Sequence, residues 1–270
     1  MSRLEDCFAS LKQSNRAALT IYIAAGDPHP GVTVDLMHTL VDAGADIIEL
    51  GIPFSDPMAD GPVIQRACER ALKHNVSLND VLAMAAEFRQ QNAQTPLVLM
   101  GYMNPIEAMG ASDFAHRAKE AGIDGVITVD LPPDANETLI PAMQAADIDP
   151  VFLLSPTTTE DRIRQIADVA SGFLYYVSLK GVTGANSLDV GDVQSRLDNI
   201  GQFTNLPLGV GFGISDAESA MRVAKVADAV VVGSAVVRRV GESEMDQNDM
   251  LNHVGEFVAG LSNAVNTARN

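Results

Sequence analysis

Apolar residues in this chain fall into two alternating rhythms. Short runs almost without polar interruption occupy residues 19–24, 46–51, 96–101, 125–129, 150–154, 173–178, 206–211 and 229–233. Such runs read as strands buried on both faces, the pattern of a parallel sheet covered by helices. Between them, apolar positions recur three and four apart over 32–43, 63–73, 78–91, 114–121, 139–145, 159–170 and 217–227, which predicts amphipathic helices. Leu4, Phe8 and Leu11 place one more short helix ahead of the first strand. A last helix is predicted over 250–267, with Val254, Phe257, Val258, Leu261 and Val265 on the stripe that packs against the rest.

The alternation has a weak internal echo. AGADIIEL, AGIDGVITVD and VADAVVVG each end a helix and start a strand through a short turn, as expected of a repeated αβ unit. Eight βα units within 270 residues predict an α/β fold of the TIM (β/α)8 barrel type, with an extra N-terminal helix and one domain over 1–270. An open doubly wound sheet has fewer strands and a GxGxxG turn after its first strand, which is absent here. In a barrel, function belongs to the loops after each strand.

Composition narrows the class of partner. A formal charge of −17 and a pI near 4.5 disfavour nucleic acid, whose phosphates require a basic face. Cys7 and Cys68 lack CxxC spacing and read as reduced thiols. The start has no apolar signal core and no run approaches a membrane span, so the expectation is a soluble, cytoplasmic protein.

Candidate chemistry centres on IELGIPFSDPMADG, residues 48–61. Glu49 is one acid inside an apolar strand, and a buried carboxylate is costly unless paired or protonated. Pro53, Pro57, Pro62, Gly51 and Gly61 shape a loop that returns Asp60 toward the strand end. Two acids facing an apolar pocket suit proton transfer near neutrality. The plain alternatives are a barrel-interior ion pair for Glu49 and a helix cap for Asp60. Gly211-Phe212-Gly213-Ile214 after strand seven, Gly233-Ser234 after strand eight and Gly181-Val182-Thr183-Gly184 after strand six suit a phosphate site of backbone amides, although each glycine pair alone could be a turn. Tyr175 could turn a phenol into the pocket or be simply core or surface, and Tyr22, Met100, Tyr102, Ile127, Val129 and Leu153 stand at or near other strand ends, where together they could line an apolar cavity for a planar group or, singly, be ordinary barrel packing. His29, His38, His74, His116 and His253 are dispersed and make no metal motif. Lys180 leaves a Schiff-base aldolase open.

Over nearly its full length the chain resembles the tryptophan synthase alpha chain family. IELGIPFSDPMADG is similar to that family's signature around two catalytic acids, and AGDP (25–28), GYMNP (101–105), VDLPP (129–133), GVTGA (181–185), GFGI (211–214) and VGSA (232–235) follow in order. The resemblance implies retro-aldol cleavage of indole-3-glycerol phosphate to indole and glyceraldehyde 3-phosphate, with no metal or cofactor in this chain. Glu49 matches the proton shuttle, Asp60 the partner of the indole N–H, and Tyr175 a tyrosine near the glycerol hydroxyls. Gly184, Gly213, Gly233 and Ser234 match the phosphate ligands, with Gly211 and Phe212 alongside. The indole pocket is expected to comprise Tyr22, Ile64, Met100, Tyr102, Ile127, Val129, Leu153 and Thr183. The resemblance further implies a pyridoxal phosphate-dependent beta chain as partner in an alpha2beta2 complex that receives indole through a tunnel, and lids at 53–61 and 179–190. Tyr22 stands where the family commonly has phenylalanine, and Leu179-Lys180 where some members have arginine. A third reading is a barrel that only binds and activates its partner.

Overall fold

The computed structural model describes residues 2–134, 137–178, 190–211, 213–241 and 246–269. In chain order the elements are α1 (Arg3–Gln13), β1 (Ala18–Ala24), α2 (Thr33–Asp42), β2 (Ile47–Gly51), α3 (Pro62–Leu72), α4 (Leu78–Arg89) and β3 (Leu97–Gly101). Then come α5 (Met103–Met109), α6 (Ala111–Glu120), β4 (Gly125–Thr128), α7 (Leu139–Ala145), β5 (Asp149–Leu154), α8 (Glu160–Val169), β6 (Leu174–Val177) and α9 (Val190–Ile200). β7 (Leu208–Gly211), α10 (Ala217–Ala224), β8 (Ala229–Val232), α11 (Ser234–Gly241) and α12 (Gln247–Thr267) complete the chain. All eight strands pair in parallel, each with the next, and β8 closes on β1. The expected TIM barrel is present, and all eight strands lie where their apolar runs put them, within two residues.

Three helices, α5, α9 and α11, lie outside the predicted set. In α5, Pro105 sits within the first turn, where its missing N–H costs no helical bond, although in the sequence it reads as a breaker. In α11, Val236, Val237 and Val240 are buried on one face and Arg238 and Arg239 end the helix, so its β-branched content masks an amphipathic stripe. α9 buries Val193, Leu197 and Ile200, a sparse stripe in a polar stretch.

α1 closes the N-terminal mouth of the barrel. A capping box at Ser2 and Glu5 starts it, and Leu4, Phe8 and Leu11 pack against the inward residues Ala18, Ile47, Val98, Val151, Phe173 and Ala229. Phe8 and Phe173 lie 5.8 Å apart between ring centroids. Gly125 leaves the space that Leu4 fills, since a Cβ there would stand 3.1 Å from the leucine Cδ1.

The sequence echo has a structural purpose at this same mouth. Asp46, Asp124 and Asp228, each just before a strand, accept the N–H of Leu19, Leu97 and Leu208 at 2.8, 2.8 and 2.9 Å. Each thereby ties the start of one strand to the start of the strand before it. Asp124 also takes Arg3 and Arg89, both at 2.8 Å, and Asp46 takes Arg16. In two of the three turns the preceding glycine, Gly44 or Gly122, has φ of +98° or +78°, the left-handed geometry that ends a helix tightly.

α12 packs against α2, α10 and β1, with Val254, Val258, Leu261 and Val265 buried. Phe257 stays half-buried beneath the Arg239 guanidinium, 3.5 Å above its ring. No helix among the described residues is long and apolar enough to cross a membrane.

Candidate active site

At the opposite, C-terminal mouth the alternation of β2 turns Glu49 inward. It is 1 % exposed, and its Oε2 has no hydrogen-bond partner among the described residues. Burial first, and then the charge of Asp60, push its carboxyl up to about 8. The side chain is therefore a largely protonated acid at neutral pH whose conjugate base is within easy reach. No counter-ion faces it among the described residues, so the interior ion-pair alternative does not hold.

Asp60 lies in the loop after β2. The helix that follows, α3, is capped by Gly61 with no side-chain bond, so Asp60 does not serve as its cap. The carboxylate instead accepts the Tyr102 hydroxyl at 2.9 Å. Burial raises its pKa and this bond opposes the rise. Tyr102, at the end of β3, also accepts the Ala59 N–H at 3.0 Å and stacks on Phe54, with ring centroids 5.3 Å apart. One side chain thus holds three points of the acid loop. The sequence placed Tyr102 at a strand end but carried no sign that it would grip Asp60.

Two phenols belong to strands that are not neighbours, β6 and β1. Tyr175 on β6 is buried, and its ring end is accommodated by Gly211 on β7, where a Cβ would lie 2.2 Å from the phenol oxygen. Burial and then the charges of Glu49 and Asp60 raise its pKa. Tyr22 on β1 pairs in register with Glu49 and uses Gly51 in the same way. Below it, Thr20 buries an Oγ1 with no partner among the described residues, a polar position that the sequence reading passed over.

The expected indole wall is partly assembled. Tyr22, Ile64 and Met100 share one apolar cluster, while Ile127, Leu153 and Met100 pack with Tyr175 in another. Val129 and Leu153 also border a side cavity of about 170 Å³ with Thr128, Pro132 and Phe152. A larger cavity of about 360 Å³ lies on the flank of the acid loop, lined by Phe54, Asp56, Met58 and Glu69 among others, and includes neither Glu49 nor Asp60.

The phosphate candidates lie beside this mouth. Gly211 ends β7; Gly213, at φ +79°, has open space where a Cβ would stand; Gly233 is half-buried against Tyr22; and Ser234 is exposed at the start of α11. The two nearby helix starts differ. Asp216 caps α10 by accepting the Ser219 N–H at 2.8 Å, so that terminus already holds a carboxylate. α11 has no acid in its first turn, and its internal bonding starts with Val236 and Val237 donating to the Gly233 carbonyl. The amides of Ser234 and Ala235 precede that bonding, which suits an anion. Phe212, Thr183, Gly184, Lys180 and nearly all of the expected lid at 179–190 lie outside the described residues.

Among the described residues no three His, Cys, Asp or Glu side chains gather as a metal site. Both cysteines are free, and Cys68 lies buried in the cluster with Tyr22 and Ile64.

Comparisons with known proteins bear on the family and the fold. The family model for the tryptophan synthase alpha chain matches residues 8–266. The chain is 57 % identical to the tryptophan synthase alpha chain of Thioalkalivibrio sulfidiphilus, covering 98 % of this chain and 100 % of that one. It is 60 % identical to that of Chromobacterium violaceum over 89 % and 91 % of the two chains. A crystal structure of tryptophan synthase subunit alpha from Legionella pneumophila superposes with a TM-score of 0.92 at 44 % identity, covering 98 % of both chains. A chain of the aminoacrylate-bound tryptophan synthase of M. tuberculosis superposes with a TM-score of 0.87 at 33 % identity, covering 98 % of this chain and 100 % of that one. The chain therefore belongs to the tryptophan synthase alpha chain family.

Proposed function

We propose that this chain is the lyase half of a tryptophan synthase, cleaving indole-3-glycerol phosphate to indole and glyceraldehyde 3-phosphate. The observation that carries the reading is Glu49, buried with its Oε2 unpartnered among the described residues and protonated up to about pH 8, with Asp60 nearby on a separately anchored loop.

The chemistry needs both acids. Glu49 gives its proton to C3 of the indole ring, which leaves an electron-poor ring nitrogen. Asp60, ionised and accepting the ring N–H, stabilises that positive charge as a fixed dipole would. Glu49, now a carboxylate, takes the proton of the glycerol hydroxyl next to the scissile bond. That oxygen becomes the aldehyde, the carbon–carbon bond breaks, and its electron pair returns to the ring as indole leaves. Glu49 ends the cycle protonated. In this reading Tyr175 holds the glycerol hydroxyls and the amides of Gly184, Gly213, Gly233 and Ser234 hold the phosphate, with Gly211 and Phe212 alongside. Tyr22, Ile64, Met100, Tyr102, Ile127, Val129, Leu153 and Thr183 form the indole wall in this reading.

Membership of an alpha chain family implies a beta chain partner, to which the indole passes. Pyridoxal phosphate belongs to that partner, and an alpha2beta2 assembly is the form we expect. The test is indole release from indole-3-glycerol phosphate by the purified chain, with and without a tryptophan synthase beta chain. Slow release that rises with the beta chain supports the reading; no release under either condition would overturn it and send attention to Lys180 with borohydride trapping.

A further inference from the structure

The inward face of β1 carries a polar oxygen inside a wall that is otherwise apolar. Tyr22 packs with Ala24, Ile64, Ala67, Cys68 and Val237, of which only the Cys68 thiol is polar. Its ring end reaches β2 at Gly51, where a Cβ would lie 2.2 Å from the phenol oxygen and 2.8 Å from Cε2. Gly51 stands one inward position above Glu49, so the hydroxyl belongs to the open mouth of the barrel and not to the plug beneath it. Tyr22 and Tyr175 are two copies of one device, a tyrosine on one strand matched to a glycine on the next. Tyr175 serves the side assigned to the glycerol chain, and Tyr22 the side assigned to the ring.

The hydroxyl lies among the reactive groups. After burial, the charges that raise its pKa are those of Cys68, Asp60, Glu49 and Tyr102. A planar ring bound against this wall strips water from the phenol oxygen, and a buried hydroxyl left without a partner costs free energy. A phenylalanine would fill the same volume without that cost. A hydrogen-bonding group carried by the ring removes the penalty and turns it into discrimination, because a site built to hydrogen-bond a substituent rejects analogues lacking it more strongly than an apolar pocket does.

We propose that Tyr22 is a specificity-determining residue whose hydroxyl contacts a polar substituent on the indole ring, so that the chain accepts ring-hydroxylated indole-3-glycerol phosphates as substrates. This rests on the lyase reading above. The bonds made and broken are those of the parent reaction, and only the released indole differs.

The test measures kcat/KM of the full chain with its beta chain for indole-3-glycerol phosphate and for its 4-, 5-, 6- and 7-hydroxy derivatives, in the native protein and in Tyr22→Phe. The native chain is expected to cleave at least one hydroxylated substrate. Tyr22→Phe is expected to lower that substrate's kcat/KM at least ~10-fold more than the parent's, the size of one net hydrogen bond in a desolvated site. Tyr22→Leu, which also removes the oxygen, should favour the parent in the same order, so a packing defect peculiar to one variant cannot produce the result. A purely structural role would change all five substrates by one factor. That outcome, or failure of the native chain to cleave any hydroxylated substrate while it cleaves the parent, overturns this inference and leaves the lyase reading standing. Failure to cleave the parent overturns both.

Discussion

The two mouths of the barrel treat the same functional group in opposite ways. At the N-terminal mouth, Asp46, Asp124 and Asp228 each accept the backbone N–H of a neighbouring strand, and the first two also hold arginines. At the C-terminal mouth, Glu49 is more deeply buried than any of these, yet one of its oxygens has no partner among the described residues. A carboxylate whose oxygens are taken up by backbone N–H groups and arginines ties strand to strand and stabilises the sheet. An unsatisfied one holds its proton to about pH 8 and can give and retake it. The contrast separates holding a barrel together from doing chemistry on it, and matches the division of labour general to this fold.

The largest effect that would sharpen the contrast is expected at the satisfied end. Asp124→Ala breaks the buried pair with Arg89 and leaves the Leu97 N–H without its acceptor, and should cost about 3–5 kcal/mol in urea unfolding, the range for breaking a buried pair. Its turnover per folded molecule should stay within ~2-fold of the native chain, because the mouth it secures is the far one from the acids. A stability loss below ~1 kcal/mol, the size of a surface pair, would break the comparison.

Glu49→Gln should move stability the other way. Between the ordinary carboxyl value of 4.5 and about 8, the unfolded chain ionises at this position while the folded chain keeps its proton. The native protein therefore loses stability across that window and the variant does not. The variant's advantage should grow from near zero at pH 4 to roughly 2–4 kcal/mol at pH 9, in denaturant curves taken at both values. An advantage independent of pH would contradict the assignment.

The same substitution should lower indole release at least ~100-fold, the lower end for a positioned acid and base. In the native chain kcat/KM should fall above about pH 8, as the free enzyme loses the Glu49 proton needed for the first step. The acid limb should follow Asp60, which must be ionised and whose pKa is itself raised by burial. Turnover of Glu49→Gln within a few-fold of native would remove Glu49 from its role.

The smallest effect belongs to the anchor of the Asp60 loop. Tyr102→Phe removes the hydroxyl that donates to Asp60 and accepts from Ala59, while leaving the stack on Phe54. A drop of ~10-fold in kcat/KM, about the net value of one charge-assisted hydrogen bond, is expected in steady-state cleavage. A variant with unchanged kinetics would show that the loop is held by other means.

Much of the contrast can be read in the sequence, though unevenly. The eight strands were legible because strands buried on both faces leave near-continuous apolar runs, and Glu49 stood out as the acid within one of them. The echo around Asp46, Asp124 and Asp228 was visible as repetition, but the N–H each one accepts lies on a different strand and is fixed only by the closed register. Tyr102 was placed at the correct strand end, whereas its grip on Asp60 depends on how a proline-rich loop folds back. Asp60 could equally have been a helix cap by spacing, and only the geometry of Gly61 decides against it. α11 was hidden because its valines continue the apolar run of β8, and with it the distinction between a helix start at Ser234 with no acid in its first turn and one capped by Asp216.

The most direct measurement is the titration of Glu49 itself, by carbon NMR of the glutamate carboxyls in the ligand-free chain, with the resonance assigned by its loss in Glu49→Gln. A midpoint near 8 would establish a buried acid kept ready for proton transfer. A midpoint near the ordinary 4.5 would mean that the carboxylate is stabilised after all, and that the two mouths do not differ in the way described.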